Sequence, residues 1–246
     1  MRVLFLGTGG YHPNARRHTA CVMVPEVGLV FDAGSSFFRV ADYLERKELD
    51  IILSHAHLDH VCGLTYFLLP MATGAVKTVR VHGDASTIEA VKTHLFDERL
   101  FPLLPEFEFC ELTADSSVSL PNEFKLTHTP LEHPSGSTGF RLENGNRSMA
   151  YITDTTVDGT YTEFVRGVDL LIHECNFGDD MAKWATETGH SHTTPVAELA
   201  RDADVGRLVL VHIDPQRSGD DPIGIETAQA IFPETIVAED LQEIDF

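Results

Sequence analysis

The stretch IILSHAHLDHVCGL, residues 51–64, decides the fold. It holds three histidines and an aspartate within six positions, directly after an apolar run and shortly before a glycine. A run of this kind that leaves a strand and turns into a loop can direct His55 and His57 to one point and Asp59 and His60 to a neighbouring one. Imidazole and carboxylate ligands together suit Zn²⁺ or another divalent transition ion. Two ions about 3.5–4 Å apart would form the two-metal clamp used in hydrolysis.

Two such ions need more ligands than this cluster supplies. Three later residues have suitable side chains: His133 in PLEHPSG, Asp154 in YITDTT and His212 in LVLVHIDP. Polar residues end other apolar strands as well, Asp32 in VFDAG and Glu174 in LLIHE. Strand ends in α/β sheets are where ligand sites are built, because the sheet fixes the backbone and the loops leave room for a ligand. The repeated pattern predicts one shared site.

The composition is that of a globular protein with a strong acidic excess. The 246 residues fit one large α/β domain covering 1–246, and the formal net charge is −20. Proteins that bind nucleic acid usually carry a basic stripe, and the densest basic spot here is the pair Arg16-Arg17. No apolar run reaches the roughly 18 residues of a membrane span, so a cytoplasmic protein is expected. The four scattered cysteines predict free thiols.

Strands and helices alternate throughout the chain. Short apolar or β-branched runs predict the strands, and helical patterns lie between them. The predicted helices cover about 36–47, 84–97, 158–167 and 194–203. In the last of these, Thr194 is the expected N-cap and Pro195 the first helical residue. The acidic tract FPETIVAEDLQEIDF is interpreted as a solvated C-terminal face.

The order of these motifs resembles the metallo-β-lactamase superfamily. The run H-A-H-L-D-H is followed by a lone histidine, then an aspartate after a strand, then a late histidine after a strand. Three segments resemble the tRNase Z-like branch in particular: PLEHPSGSTGFRLE, DLLIHECNF and GHSHTTPVAELA. The resemblance implies an α/β fold, a four-layer αβ/βα sandwich with mixed sheets and a dinuclear site at one edge.

The resemblance also implies a ligand set, in which Asp32 orients a ligand histidine. The first metal would take His55, His57 and His133, the second Asp59, His60 and His212, and Asp154 and a hydroxide would bridge them. Zn²⁺ is the expected ion, and Mn²⁺ or iron fits the same ligand types.

Three further roles follow from the same resemblance. Asp59 would orient the bridging hydroxide, and Glu174 would work with a histidine to protonate the leaving group. GHSHTT offers two histidines for that pair. Alignment on VAELA favours His190, and counting back from Thr193-Thr194 favours His192.

The chain departs from tRNase Z in one informative way. That family holds tRNA with a long basic and glycine-rich arm, which in bacterial forms lies between the positions of His133 and Asp154. These residues are only 21 positions apart here, and a strand pair with its turn uses that length. We therefore expect a hydrolase of small phosphodiesters, such as cyclic nucleotides or cyclic phosphates, with Arg16-Arg17 available for one further phosphate.

Other readings stay open at this point. They are a tRNA 3′-processing endonuclease, a lactonase or other ester hydrolase, and a catalytically silent metal or ligand sensor. The expected partner is a small phosphodiester, without nucleic acid or membrane, and the family suggests a homodimer.

Overall fold

The computed structural model describes residues 1–114, 116–217 and 219–246. The described chain divides into two compact units, each with its own sheet. The first consists of Met1–Thr8, His12–Ser116 and Glu239–Asp245, and the second of Gly9–Tyr11, Ser117–Ala238 and Phe246. That residues 1–246 form one domain stays a prediction.

The sheet of the first unit is mixed. Its strands, numbered in chain order, are β1 (Arg2–Gly7), β2 (Cys21–Val24), β3 (Leu29–Phe31), β4 (Glu48–Ile52), β5 (Thr78–Gly83), β6 (Glu108–Glu111) and β14 (Gln242–Asp245). Over the described residues the order is β14-β1-β2-β3-β4-β5-β6. The pairs from β14 to β3 are antiparallel, and the pairs from β3 to β6 are parallel.

Short helices cover one face of this sheet and complete an apolar core. They are α1 (Leu58–Val61), α2 (Leu68–Ala72) and α3 (Ala85–Ala90), with 3₁₀ turns at Pro25–Val27, Phe37–Tyr43 and Cys62–Phe67 and a π-helical turn at Val91–Leu95. The predicted helix 84–97 corresponds to α3 and the π turn, and Asp84 caps it by accepting from the amide of Thr87.

The predicted α-helix 36–47 is wrong in type and length. A 3₁₀ segment ends at Tyr43, and Leu44 is already extended. Phe37 and Val40 are buried three residues apart, which is the spacing at which side chains of a 3₁₀ helix lie in line.

The sheet of the second unit is also mixed. Its strands are β7 (Val118–Ser119), β8 (Lys125–Leu131), β9 (Ser137–Glu143), β10 (Ser148–Ile152), β11 (Leu170–Glu174), β12 (Leu208–Val211) and β13 (Thr235–Val237), and its helices are α4 (Thr162–Val165), α5 (Ala182–Thr188), α6 (Thr193–Asp202) and α7 (Ile225–Ile231), with a 3₁₀ turn at Asp179–Met181. The described order is β13-β12-β11-β10-β9-β8-β7. Pairs from β10 to β13 are parallel, so the ends of these strands point to the same edge.

Helix α6 begins at Thr193, two residues before Pro195, the predicted first helical residue. Its N-cap is therefore His192 and not Thr194, and Pro195 is the third helical residue. Proline is tolerated there because the first-turn amides have no partner inside the helix. The carboxylate of Asp179 takes the capping role instead, since it accepts from both the amide and the hydroxyl of Thr194.

The C-terminal acidic tract is not simply a solvated face. Gln242–Asp245 forms β14, antiparallel to β1, and Ile244 is buried between the exposed Glu243 and Asp245. The alternation is that of a strand with one buried face, but four residues are too few to show it in the sequence.

Two further expectations concern thiols and membranes. All four cysteines are free thiols, as predicted. None of the helices in the described part of the chain is both long and apolar enough to span a bilayer.

A buried ion-pair network joins two strands of the first unit. Asp50 accepts from Arg80 Nε and from His82 Nε2, each at 2.8 Å. Burial alone would raise the pKa of Asp50, but the bonds from His82 and Arg80 outweigh it and hold the pKa below its usual range. A carboxyl group with a lowered pKa stabilises the folded state above its unfolded pKa of about 3.9, and this stabilisation is lost as the pH falls.

Asp50→Asn is therefore expected to lower the free energy of unfolding by about 1–3 kcal/mol at pH 7. The difference from the wild type should shrink at pH 3, below the unfolded pKa of about 3.9, because the unfolded wild-type chain then binds a proton more readily than the folded one. Urea unfolding at both pH values measures the effect, with the exposed Asp42→Asn as control. An equal loss at both pH values would contradict the ionic origin of the stabilisation.

Candidate metal centre

The first unit contributes the histidine cluster, which follows the end of β4. His57 has an extended backbone and precedes α1, whose first turn carries Asp59 and His60. The ligand atoms of His55 and His57 lie within 4.8 Å of each other, and so do those of Asp59 and His60. His60 Nε2 is 3.4 Å from Asp59 Oδ2. The cluster therefore forms two adjacent pairs, as its spacing predicts.

Two neighbouring side chains orient these rings. The buried carboxylate of Asp32 accepts from His60 Nδ1 at 2.8 Å and from the amide and hydroxyl of Ser54. Ser54 Oγ in turn lies 3.0 Å from His55 Nδ1. A carboxylate can only accept, so the proton of neutral His60 sits on Nδ1 and the lone pair on Nε2. The predicted contact of Asp32 with a cluster histidine is present.

The second unit contributes the later candidates from three strand ends. His133 follows β8, Asp154 follows β10 and His212 follows β12. The ligand atoms of His133 and Asp154 lie within 4.8 Å of each other, and those of Asp154, His190 and His212 form a second group with the same limit. His212 Nε2 is 3.2 Å from Asp154 Oδ1. β8, β10 and β12 run in the same direction, so their ends place these side chains at one edge of the sheet.

The backbone at these positions is unusual for residues with a side chain. Asp32, Asp154 and His212 have φ angles of 58°, 46° and 59°. Residues other than glycine seldom adopt this left-handed region, and those that do are concentrated at functional sites. The sharp turn lets each strand end abruptly and place its terminal polar side chain at the sheet edge.

The histidines of the second unit are also contacted at Nδ1. His133 Nδ1 donates to the carbonyl oxygen of Gly189 at 3.0 Å, which leaves its lone pair on Nε2. His212 Nδ1 lies 3.0 Å from Nδ2 of Asn176. Gly10 packs against the His212 ring so closely that a Cβ there would lie 2.4 Å from Cε1. Histidines that bind metals are normally anchored through the second ring nitrogen in this way.

Glu174, which is buried at the end of β11, pairs with the partly exposed His190. Glu174 Oε1 accepts from His190 Nδ1 at 3.0 Å and from the amide of Thr155, and Oε2 accepts from the amide of Asn176. Burial acts to raise the pKa of Glu174, but the neighbouring His190 and His212 outweigh it, so the pKa lies below its usual range. The group is therefore a carboxylate at neutral pH, and it can stabilise a positive charge on His190.

The sequence left open whether His190 or His192 pairs with Glu174, and in the structure it is His190. His190 bonds Glu174 and stacks on His212, with ring centroids 5.3 Å apart. His192 instead bonds Asp179, with 2.6 Å between Nδ1 and Oδ1. His190 therefore lies between the Glu174 carboxylate and the His212 ring, whereas His192 lies against Asp179 at the start of α6.

Several residues of this arrangement do not appear among the sequence candidates. They are Gly10, Ser54, Asn176 and Gly189. Asn176 lies in DLLIHECNF, one of the three segments that carry the resemblance, but no role was assigned to it. The pair Arg16-Arg17 was expected to be available for a phosphate, but both guanidinium groups bond the carboxylate of Glu239.

Gly189 gives a prediction that separates packing from backbone strain. Its φ is +75°, and a Cβ would lie 2.4 Å from Pro134 Cδ and 3.0 Å from His133 Nδ1. Gly189→Ala should cost roughly 2–4 kcal/mol of unfolding free energy, from the left-handed backbone and the clash together. It should also weaken metal binding, because His133 is displaced. Urea unfolding and a chelator competition measure the two effects.

Gly159→Ala is the matched control. Gly159 has a φ of +84° but nothing within 4 Å of the added methyl group, so only the backbone term of about 1–2 kcal/mol applies. Equal losses of unfolding free energy in the two variants would show that the contacts with Pro134 and His133 do not contribute to the cost of Gly189→Ala.

A family model described as "Beta-lactamase superfamily domain" matches residues 29–213. The chain belongs to this superfamily. A Ribonuclease Z of Methanosarcina acetivorans is 30% identical over 301 residues, covering 100% of this chain and 98% of the relative. The probable metallo-hydrolase YhfI of Bacillus subtilis is 26% identical over 227 residues, covering 87% of each chain.

Solved structures agree with this assignment. The crystal structure of YhfI matches with a TM-score of 0.82 at 23% identity, covering 99% of this chain and 98% of the other. A diphosphatase from the PhnP family matches with a TM-score of 0.74 at 20% identity, covering 100% and 98%. The predicted superfamily and fold class are therefore confirmed: this member is a metallo-hydrolase of the β-lactamase fold with two mixed sheets, and its histidine and aspartate groups imply divalent metal ions.

Proposed function

We propose that this metallo-hydrolase cleaves small phosphodiesters at a dinuclear centre. The ligands in this proposal are those that the superfamily resemblance implies: His55, His57, Asp59, His60, His133, Asp154 and His212. The donor chemistry supports it, because His60 and His133 each hold a proton on Nδ1, which puts the lone pair that a cation would take on Nε2. Zn²⁺ is the ion proposed, and Mn²⁺ or iron would suit the same donors.

The bound ions would lower the pKa of a water molecule toward neutrality and offset negative charge that develops on the phosphoryl oxygens. The chain supplies the rest. Asp59 would orient the attacking water by accepting its hydrogen bond. His190, with Nδ1 fixed on Glu174, would present Nε2 and its proton to the leaving oxygen.

The Glu174–His190 pair is the main observation that supports a hydrolase whose substrate releases an alkoxide. Its imidazole is in the same group of ligand atoms as Asp154 and His212, all within 4.8 Å. A proton donor at that position is useful when a sugar hydroxyl must leave, as in a nucleotide diester. A sensor without catalysis would have no use for it.

The size of the substrate follows from the segment between His133 and Asp154. β9, a turn and β10 fill this segment. The two strands pair antiparallel, from Glu143 opposite Ser148 to Phe140 opposite Tyr151. This interval therefore contains no arm. The alignment with the Methanosarcina Ribonuclease Z spans 301 residues, so that relative contains residues with no counterpart among the 246 of this chain. The net charge of −20 also disfavours a large polyanion.

Processing of tRNA 3′ ends is the second candidate. The expectation that nucleic acid is not a partner is unsupported, because relatives as similar as 30% identical are named Ribonuclease Z. The PhnP-family neighbour, described as a diphosphatase, supports a small substrate instead. A cytoplasmic location and a homodimer stay predictions.

The test combines metal content with a substrate panel. Protein purified without chelator from metal-replete cells should contain close to two transition ions per chain by elemental analysis. It should hydrolyse bis-p-nitrophenyl phosphate and at least one cyclic nucleotide, and should cleave precursor tRNA poorly at low salt, where repulsion between polyanions is strongest.

Three outcomes would overturn the proposal. A metal content near zero would remove the dinuclear centre. Efficient 3′ cleavage of precursor tRNA would establish the second candidate, and activity only on lactones or thioesters would assign another reaction of the superfamily.

A further inference from the structure

Asn176 connects the two functional groups of the second unit. Its backbone amide donates to Glu174 Oε2 at 3.1 Å, and its side-chain amide bonds His212 Nδ1 at 3.0 Å. Its carbonyl oxygen accepts from the amide of Asp214 at 3.2 Å. The residue is buried. It therefore ties the end of β11, which carries Glu174, to the turn after β12, which carries His212.

The hydrogen bonds around His212 define where its proton lies. The atom of Asn176 that faces the ring is Nδ2, which can only donate, so Nδ1 accepts. The hydrogen of the neutral ring then sits on Nε2, and Nε2 lies 3.2 Å from Asp154 Oδ1, which accepts it. The two contacts thus agree on one tautomer.

A metal ion requires the opposite tautomer. For Nε2 of His212 to offer its lone pair to a cation, the proton must be on Nδ1, and the partner of Nδ1 must accept. An asparagine amide meets this requirement by a half-turn about its terminal torsion, which presents Oδ1 in place of Nδ2. Leucine has a similar shape but can do neither.

We propose that Asn176 is a positioning residue that holds His212 in either tautomer and turns its amide when a divalent ion is bound. The proposal rests on the metal centre proposed above and goes beyond it, because it assigns the residue that makes His212 competent as a ligand. The same residue supports Glu174 through its backbone, so the metal ligand and the proton-donating pair are fixed by one anchor.

The experiment measures Zn²⁺ affinity by chelator competition and the His212 tautomer by long-range ¹H–¹⁵N NMR. In the wild type the ring proton should be on Nε2 without Zn²⁺ and on Nδ1 with it. Asn176→Leu should bind Zn²⁺ about 10–100-fold more weakly, the usual effect of losing a partner of a metal-binding histidine. Asn146→Leu makes the same change at the exposed β9–β10 turn and should bind Zn²⁺ like the wild type.

Asn176→Asp is the second variant, and it keeps the test valid if the leucine variant fails to fold. Its carboxylate can only accept, so Nδ1 of His212 should carry a proton with or without Zn²⁺. Unchanged Zn²⁺ affinity in Asn176→Leu, or a wild-type tautomer that does not change with Zn²⁺, would overturn the proposal. Both readouts are independent of turnover: a wild type that binds two ions but hydrolyses no phosphodiester would reject the proposed function and leave this inference intact.

Discussion

Asp59→Asn is expected to abolish hydrolysis, lowering kcat for bis-p-nitrophenyl phosphate by at least about 10³-fold. Asp59 is the single carboxylate in the cluster, and its Oδ2 lies 3.4 Å from His60 Nε2. Replacing one oxygen by an amide nitrogen keeps the shape but removes the negative charge and one of the two oxygens that can accept from the attacking water. The loss should affect all substrates equally, because it acts before any leaving group departs.

His57→Ala should be as inactive and should also lose metal, whereas Asp59→Asn keeps the three histidines of the cluster. Elemental analysis of the two variants beside their kinetics separates these effects. The controls are Asp42→Asn and His94→Ala, which make comparable changes at exposed positions of the same unit. An Asp59→Asn enzyme with more than about a tenth of wild-type activity would show that this carboxylate is not part of the reaction.

His190→Ala is expected to slow hydrolysis of cyclic nucleotides by roughly 10²–10⁴-fold, which is the usual contribution of a general acid. Bis-p-nitrophenyl phosphate should suffer much less, because p-nitrophenolate leaves without a proton. Metal content should stay close to that of the wild type, since the proposed ligand set does not include His190. The ratio of the two rate losses, and not either rate alone, is the measurement.

His192→Ala is the comparison that the sequence itself suggests. His192 bonds Asp179 at the start of α6, so its loss should lower the free energy of unfolding and leave the ratio between the two substrates unchanged. The reverse pattern, with substrate-dependent slowing in His192→Ala and not in His190→Ala, would exchange the roles of the two histidines.

The parts of the site that the sequence predicts are those coded locally. The run from His55 to His60 is one continuous motif, and its two pairs are close together in the structure as well. Asp154 and His212 were identifiable because each ends an apolar strand, and parallel strands β10 to β12 bring such ends to one edge. Their left-handed φ angles, however, have no signal in the sequence, because neither residue is a glycine.

What escaped prediction depends on contacts between distant parts of the chain. Gly189 bonds a histidine 56 positions away, and Asn176 bonds one 36 positions away. The choice between His190 and His192 depends on which carboxylate each one meets, Glu174 or Asp179, and both histidines have comparable spacing from the neighbouring motifs. The prediction of secondary structure failed for the same reason at β14. Its four residues form a strand only because β1 pairs with them.

Each unit is built from segments that are not contiguous in the sequence, and this affects both fragment design and folding during translation. Gly9–Tyr11 leave the first strand to join the second unit, where Gly10 lies against His212, and Glu239–Asp245 return to the first unit to pair with β1. No single cut therefore yields either unit whole: a fragment ending near residue 116 lacks the strand that covers β1, and one beginning near residue 117 lacks the glycine beside the last histidine. During synthesis, one edge of β1 stays exposed until Asp245 has left the ribosome. An open strand edge is a template for pairing with other chains, so the nascent protein is exposed to aggregation for almost its entire translation.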